Sequence, residues 1–479
     1  MREVNAGCLS IIFILFYIAP TKIFHFYGKK CKFVFCSQRI FLTGQLSALT
    51  LAFLFRWHLP TSQCGPILRH SIASLLGICL SIYCFGWLTL FLIGELVLGY
   101  LLLLLADYRR VHVYTLFLTM GYLTLFHIQR YLYPAQDQMD FTVPLMMLTQ
   151  KISRVAFEFH DGHIQTEKPL SPLQRRLAIR TMPSTLSYVS YTLGFLGLLA
   201  GPVCSYNDYQ IFIHGNEKTG NPNVAVSRKL SLCCLLLAAH LVLSDRFSVS
   251  EDPDRSVFSQ YLDLYLMAAS RRPNFYFAQA ADAINNAAGF GYNGISEDGT
   301  ERWDLLSNLD IVKIETATSF KMFIDNWNIQ TAVWLKEVCY DRSPYNPLLS
   351  TFMLSAVWHG VHPGYYLTFL TAVPITVAAR HVRRTIRPWF QGHVLNRTVY
   401  DVITWLCTQI AMSYTVGPFM LLELGLSLKL YRSLSFSLHI LPILLIMVLH
   451  NTTRPQSIEK SNHTTIACKK NTNQMKKGT

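Results

Sequence analysis

Long runs without charge alternate with short basic clusters along this chain of 479 residues. Ser71 to Ala106 covers 36 residues and carries one charge, Glu95. A single helix of that length would extend ~54 Å, against a hydrocarbon core of ~30 Å, so the run predicts two membrane-crossing helices. The break between them falls in the stretch from Gly86 to Gly94. Further apolar runs are Ile40–Phe55, Val113–Ile128, Leu186–Gly201, Leu230–Leu243 and Phe258–Met267, the last continuing toward Phe277. They resume at Leu348–Trp358, Tyr365–Ala379, Val402–Leu422 and Leu434–His450. Gly7–Pro20 is apolar but short, and reads as a signal anchor or a first span. Together these runs predict an all-α integral membrane bundle of about ten to twelve membrane helices. Those shorter than the ~20 residues of a lone span are expected to tilt or to lie inside the bundle.

Two stretches break the apolar pattern. Thr142–Glu158 mixes apolar residues with Lys151, Arg154 and Glu158. Trp303–Asp341 alternates apolar and polar residues. Neither suits lipid on all sides, so both are expected to be interfacial or cavity-lining helices. The expected organisation is an N-terminal segment (1–39), one membrane-embedded domain (40–450) and a polar tail (451–479).

Composition sharpens this reading. The chain is 51% hydrophobic with a mean hydropathy of +0.28. Its charged fraction is 15%, below the ~25% of a soluble domain. The net charge of +14 would suggest nucleic acid in a soluble protein. Here the basic residues sit between apolar runs: Arg109 and Arg110; Arg175, Arg176 and Arg180; Arg380, Arg383, Arg384 and Arg387. That distribution belongs to cytoplasmic loops facing anionic lipid, not to a nucleic-acid surface. The 12 cysteines show no zinc or redox spacing, and several lie inside apolar runs, where a cysteine is a small hydrophobe.

An ionisable or amide side chain at membrane depth is costly and is a functional hypothesis by default. His359 closes the run Leu354-Ser355-Ala356-Val357-Trp358, and Gly360 and Pro363 interrupt the helix just after it. Such breaks occur at membrane depth where backbone lines a cavity or is buried in protein. Burial favours the neutral imidazole, which can accept a hydroxyl proton as a general base. A buried structural histidine has the same sequence appearance. The stretch Phe320–Lys336 packs amides, aromatics and charges together, and an asparagine there could donate to a carbonyl oxygen as it gains charge. His160-Asp161-Gly162-His163 has metal-ligand residue types but no third ligand nearby in sequence, so no metal site is assigned.

An asparagine after tryptophan, Trp327-Asn328, is followed by Trp358-His359 31 positions later. With Ala281–Gly291, Thr149-Gln150-Lys151, His160-Asp161-Gly162, Ala200-Gly201-Pro202 and Pro363-Gly364-Tyr365-Tyr366, this resembles the membrane-bound O-acyltransferase family. Within the family it is similar to the lysophospholipid acyltransferase branch, and most to members using lysophosphatidylethanolamine and lysophosphatidylserine. The likeness runs from about Leu46 to about Val448, and the first 40 residues depart from the family's opening.

The resemblance implies a helical bundle enclosing a catalytic tunnel, with Asn328 and His359 as the catalytic pair. It implies acyl-CoA as co-substrate, a lysophospholipid as acceptor, and no metal or other cofactor, since the thioester is already activated. Asn285, Asn286, Trp327, Trp358 and Tyr365 are the expected substrate-binding residues. Arg380, Arg383 and Arg384 are expected to follow the positive-inside pattern, with CoA phosphates as the alternative role. Acylation of a protein or sterol, or lipid handling without chemistry, are the rival functions. The chain ends Lys476-Lys477-Gly478-Thr479, which resembles the dilysine retrieval signal that a coat-protein receptor reads on endoplasmic-reticulum membrane proteins. The tail carries six Lys/Arg against Glu459, as a cytosolic segment should.

Overall fold

The computed structural model describes residues 30–449, apart from 134–139, 165–168, 200, 216–219, 244–246, 248–255 and 277. Gly7–Pro20 and the tail with Lys476 and Lys477 lie outside the described residues. The fold is helical throughout. The first helices are α1 (Lys30–His58), α2 (Pro66–Phe85), α3 (Thr89–Leu105), α4 (Val111–Leu132) and α5 (Thr142–Ile164). Short helices α6 (Pro172–Leu177), α7 (Thr185–Leu193) and α8 (Tyr206–His214) follow, then α9 (Asn223–Leu243), α10 (Val257–Tyr276) and α11 (Gln279–Ala288). Next come α12 (Ile311–Glu315), α13 (Phe320–Asn326) and α14 (Ile329–Leu335), whose last turn widens into a π-helix at Lys336–Tyr340. The chain continues as α15 (Pro347–His359), α16 (Pro363–Thr385), α17 (Val394–Leu421) and α18 (Leu424–Ser433). A 65° bend leads from α18 into Ser437–Leu449.

Among the described residues, three helices, Arg39–His58, Pro66–Leu105 and Val111–Leu132, are long and apolar enough to cross a membrane, and the bent pair is either a fourth, broken span or a re-entrant loop. The 40-residue segment is two helices. Gly86 ends α2 with φ +56°, a value that favours glycine. Short α7 fixes how the pair is arranged. Its Leu193 carbonyl presses on Gly77 of α2, where an added Cβ would lie 1.7 Å away. Its Tyr188 hydroxyl presses on Gly99 of α3, where an added Cβ would lie 2.9 Å away. Those α7 residues are separated by ~7.5 Å of helix, whereas Gly77 and Gly99 in one straight helix would be ~33 Å apart. The chain therefore changes direction at Gly86, within the stretch where the sequence places the break.

One expectation is corrected and one is narrowed to one of its two alternatives. Leu186–Gly201 is not a span: the helix ends at Leu193, and residues 194–199 continue as buried non-helical chain. Its apolarity is matched by protein rather than by lipid, and Gly194 and Gly197 interrupt it. The stretch Thr142–Glu158 is not interfacial. It forms most of α5, which is buried along nearly its whole length, and its cavity-lining reading is the one that holds. Apart from Leu434–His450, which falls in the bent pair, the other expected runs beyond α4 form helices of the bundle that do not qualify as spans by length and composition alone.

The polar residues of α5 are placed by partners on other helices. Thr149 donates to Glu95 of α3 at 2.8 Å, and Gln150 donates to Thr331 of α14 at 3.1 Å. Lys151 donates to the carbonyls of Tyr191 and Thr192 at 3.1 and 3.2 Å. Ser153 accepts from the Trp334 indole at 3.0 Å. Arg154 sits between Glu158 at 3.2 Å and Glu337 at 2.9 Å, and Asp161 takes both arms of Arg342 at 3.0 and 2.6 Å. Removing one member of a buried ionic cluster strands the others. Arg154→Met is therefore expected to destabilise the fold by about 3–5 kcal/mol. A thermal unfolding midpoint in detergent checks this. Adding Glu158→Gln and Glu337→Gln to Arg154→Met should recover most of the loss, and an unchanged midpoint in the single variant would refute the assignment.

Candidate active site

Asn328 stands at the junction of α13 and α14. Ser319 caps α13, its side chain accepting from the Met322 amide at 3.1 Å. The helix ends when Trp327 turns extended and forms a bridge with Leu309. Asn328 then adopts φ +51°, ψ +53°, a left-handed conformation that asparagine tolerates better than most residues. It is the N-cap position of α14, yet its side chain makes no capping bond. Asn308 does that work instead. Its carbonyl accepts from the Ile329 amide at 2.8 Å, and its side-chain oxygen accepts from the Gln330 amide at 3.0 Å. Asn308 is itself fixed, its amide donating to buried Asp282 of α11 at 3.2 Å, with Lys229 3.5 Å from the same carboxylate oxygen. This arrangement keeps the Asn328 amide free of structural duty.

A cavity of about 160 Å³ opens beside Asn328. Val143, Met147 and Gln150 of α5 form one wall, and Val203, Phe275, Asn308, Trp327 and Thr331 contribute the rest. Trp327 also packs against Phe323, Phe275 and Tyr276.

His359 is the last residue of α15. Gly360 follows with φ +135°, a region restricted to glycine in practice, and Pro363 opens α16. The imidazole stacks on Phe369 at 5.4 Å and meets Phe419 edge-on at 5.1 Å, with Tyr365 at 5.8 Å. The neighbouring Trp358 anchors the helix end. Its indole donates to the Met146 carbonyl of α5 at 3.1 Å, and its own carbonyl lies 3.3 Å from Nε2 of His127. His359 is not among the residues lining the cavity at Asn328. What the two share is α5, which holds α14 through Gln150 and α15 through Met146. Trp334 of α14 and Trp358 of α15 also meet at 6.1 Å. Both Asn328 and His359 are half-buried, and among the described residues neither side chain hydrogen-bonds a protein group.

The other expected site residues divide. Trp327 lines the cavity, Trp358 is buried as an anchor, and Tyr365 packs beside His359. Asn285 and Asn286 are not brought to the cavity at Asn328. Both are buried, donating to the Ala281 and Trp303 carbonyls at 2.9 and 3.4 Å, and their own carbonyls accept the amides that close α11. Arg380, Arg383 and Arg384 sit in the last turns of α16, where cations complement the helix dipole. His160 and His163 face backbone carbonyls, of Tyr108 at 2.9 Å and Phe159 at 2.8 Å, while Asp161 is taken by Arg342. Sequence reasoning missed Asn308, Asp282 and His127. His127 lies in an apolar run and was open to the same rule that selects His359; Asn308 carries no local signal.

Residues 72–420 match the membrane-bound O-acyltransferase family. The chain is 46% identical to the chicken membrane-bound glycerophospholipid O-acyltransferase 2 over 437 residues, covering 85% of this chain and 84% of the relative. It is 43% identical to the mouse membrane-bound glycerophospholipid O-acyltransferase 1 over 455 residues, covering 88% and 92%. It is 37% identical to the Drosophila melanogaster lysophospholipid acyltransferase 6, covering 85% of this chain and 60% of that one.

The capping arrangement is directly measurable. Losing a side-chain cap costs about 1 kcal/mol. Asn308→Ala should therefore speed hydrogen exchange in peptides covering residues 326–332 by roughly fivefold, if exchange there proceeds by local opening. Asn308→Asp, which keeps the accepting oxygen, should exchange as the wild type does. Equal exchange in all three proteins would show that Asn308 does not hold α14.

Proposed function

The chain belongs to the membrane-bound O-acyltransferase family, and from that premise we propose that it moves a fatty acyl group from acyl-CoA to the free glycerol hydroxyl of a lysophospholipid. The single observation that supports the site assignment is that two polar groups, on helices held by the same neighbour, are unspent. The Asn328 amide and the His359 imidazole are held on helices tied to α5, and among the described residues neither hydrogen-bonds a protein group. Relatives whose names specify glycerophospholipid or lysophospholipid acyl transfer support the acceptor class.

In the proposed reaction, His359 takes the proton of the lysophospholipid hydroxyl as that oxygen attacks the thioester carbonyl. The carbonyl oxygen gains negative charge, and the Asn328 side-chain N–H donates to it. The C–S bond then breaks, and the imidazolium returns its proton to the departing CoA sulfur. A new C–O ester bond replaces the thioester, and the histidine ends as it began. Phe369, Phe419 and Tyr365 around His359 supply an apolar surround that keeps water from competing for the thioester. Lysophosphatidylethanolamine and lysophosphatidylserine are the proposed headgroups. The proposed location is the endoplasmic-reticulum membrane, with the basic tail and its terminal lysines on the cytosolic side for coat-protein recognition.

The test is transfer of labelled oleoyl-CoA to a panel of lysophospholipids, cholesterol and a protein acceptor, in membranes holding equal amounts of each variant. Wild type should form diacyl product with one or two of the lysophospholipids. His359→Ala should lower turnover by roughly 10²–10⁴ and Asn328→Ala by roughly 10²–10³. Full turnover in His359→Ala would sink the mechanism, and product on cholesterol or protein alone would move the chain to a different acceptor. Separately, replacing Lys476 and Lys477 with serine should send the protein beyond the endoplasmic reticulum, as read by fluorescence microscopy of a form tagged at its N-terminus.

A further inference from the structure

A second cavity, of about 630 Å³, lies between the end of α1, the start of α2, α8 and the segment after α11. It shares no lining residue with the cavity at Asn328. Its walls carry Arg56, Arg69 and Arg176 against a single carboxylate, Asp208. Arg176 and Asp208 pair at 3.1 Å, and the other oxygen of Asp208 accepts from Ser205 at 2.6 Å. That leaves Arg56 and Arg69. Arg56 donates to the carbonyl of Gly220 at 2.8 Å and has the Glu301 carboxylate nearby as a charge partner.

Arg69 is the informative residue. It is 3% exposed, and its Nε and Nη1 are closed to solvent without a hydrogen-bond acceptor. Its guanidinium lies over the rings of Phe55 and Phe212, at 5.2 and 5.1 Å. Aromatic faces stabilise a cation by about 0.5–2 kcal/mol, whereas a buried charge without a counter-ion costs several. A buried arginine lining a cavity, with no carboxylate among the described residues to pair with it, is half of an ion pair. The backbone beside it is open as well. An added Cβ at Gly294, on the cavity wall, would meet nothing within 4 Å.

We propose that this cavity binds a phosphate ester, with its anionic oxygens paired to Arg69 and Arg56. A guanidinium without a counter-ion, with a second guanidinium on the same wall, suits an anion that offers several oxygens. Guanidinium also presents its donors in the fork geometry that phosphate oxygens accept. The volume falls in the range of small-molecule sites, roughly 300–1,000 Å³. The ligand comes either from the water side, as a soluble phosphate compound, or from the bilayer, as a phospholipid headgroup. The site stands apart from the acyl-transfer reading and does not depend on it.

The experiment uses the full chain in phosphatidylcholine nanodiscs, with thermal unfolding followed by intrinsic fluorescence. One arm adds inorganic pyrophosphate, a second replaces part of the lipid with phosphatidate, and a control adds sodium sulfate at matched ionic strength. Pyrophosphate or phosphatidate should raise the midpoint beyond sulfate, and which of them does so identifies the source. Arg69→Met should abolish that rise while leaving the ligand-free midpoint unchanged or higher, because it removes a buried charge that has no partner. Arg56→Gln, at the half-buried edge, should weaken the response about tenfold or more in ligand concentration. No rise beyond sulfate in wild type would overturn the proposal, as would an equal rise in Arg69→Met. If Arg69→Met does not fold, an undiminished response in Arg56→Gln overturns it.

Discussion

Polar groups inside an apolar bundle must find partners within the protein, and in this chain α5 is where that constraint is met. Lipid cannot hydrogen-bond a lysine, an arginine or a glutamine. A helix carrying Gln150, Lys151, Arg154, Glu158 and Asp161 is therefore confined to the middle of the bundle, and each of those side chains selects a neighbour. Thr149 fixes α3, Lys151 the carbonyl end of α7, Gln150 and Ser153 fix α14, and Arg154 and Asp161 fix the π-helical turn and the residues after it. An apolar helix in the same place would pack against many neighbours in many registers. The charges remove that freedom, because only one arrangement satisfies them all.

The candidate site inherits its precision from this helix. Gln150 and Met146 are about one helical turn apart on α5, and they hold the elements that carry Asn328 and His359. Local geometry does the rest at each end. Asn328 occupies a left-handed conformation between a bridge residue and a helix, with Asn308 supplying the cap. His359 is followed at once by a glycine with φ +135°. Unusual backbone of this kind persists where the surroundings over-determine it. Here the surroundings are visible: Asp282 beneath Asn308, and the Trp358 indole locked onto an α5 carbonyl.

Much of the fold was legible because hydrophobicity is a local property. The break at Gly86 follows from comparing the length of an uncharged run with the thickness of a bilayer. The misread span and the undecided α5 stretch share one cause. Hydropathy reports how apolar a segment is, not whether lipid or protein covers it. Leu186–Gly201 is apolar and covered by protein, and α5 is polar and also covered by protein. His359 could be selected on physical grounds, from an ionisable residue at the end of an apolar run with a glycine and proline break behind it. Asn328 could not. Its neighbours Asn326, Gln330 and Asp325 are as polar, and only the resemblance singled it out. The reason it differs from them, the transfer of the capping role to Asn308, depends on a residue 20 positions away that contacts it through the fold.

What separates the candidate site residues from structural ones here is how their hydrogen-bonding capacity is used, rather than their depth. Asn285 and Asn286 are more deeply buried than Asn328, and their side chains are spent on carbonyls of the protein. Asn328 and His359 are half-buried and unspent, while Arg69 is deeply buried and unspent. A polar group left without a partner forgoes about 1–3 kcal/mol, more where it is charged. A fold that satisfies Lys151 with two carbonyls and Arg342 with both oxygens of one carboxylate has the means to satisfy these groups as well. That an amide, an imidazole and a guanidinium find no partner among the described residues is the physical argument behind the two proposed sites. The amide and imidazole suit a carbonyl and a hydroxyl, and the guanidinium suits an anion.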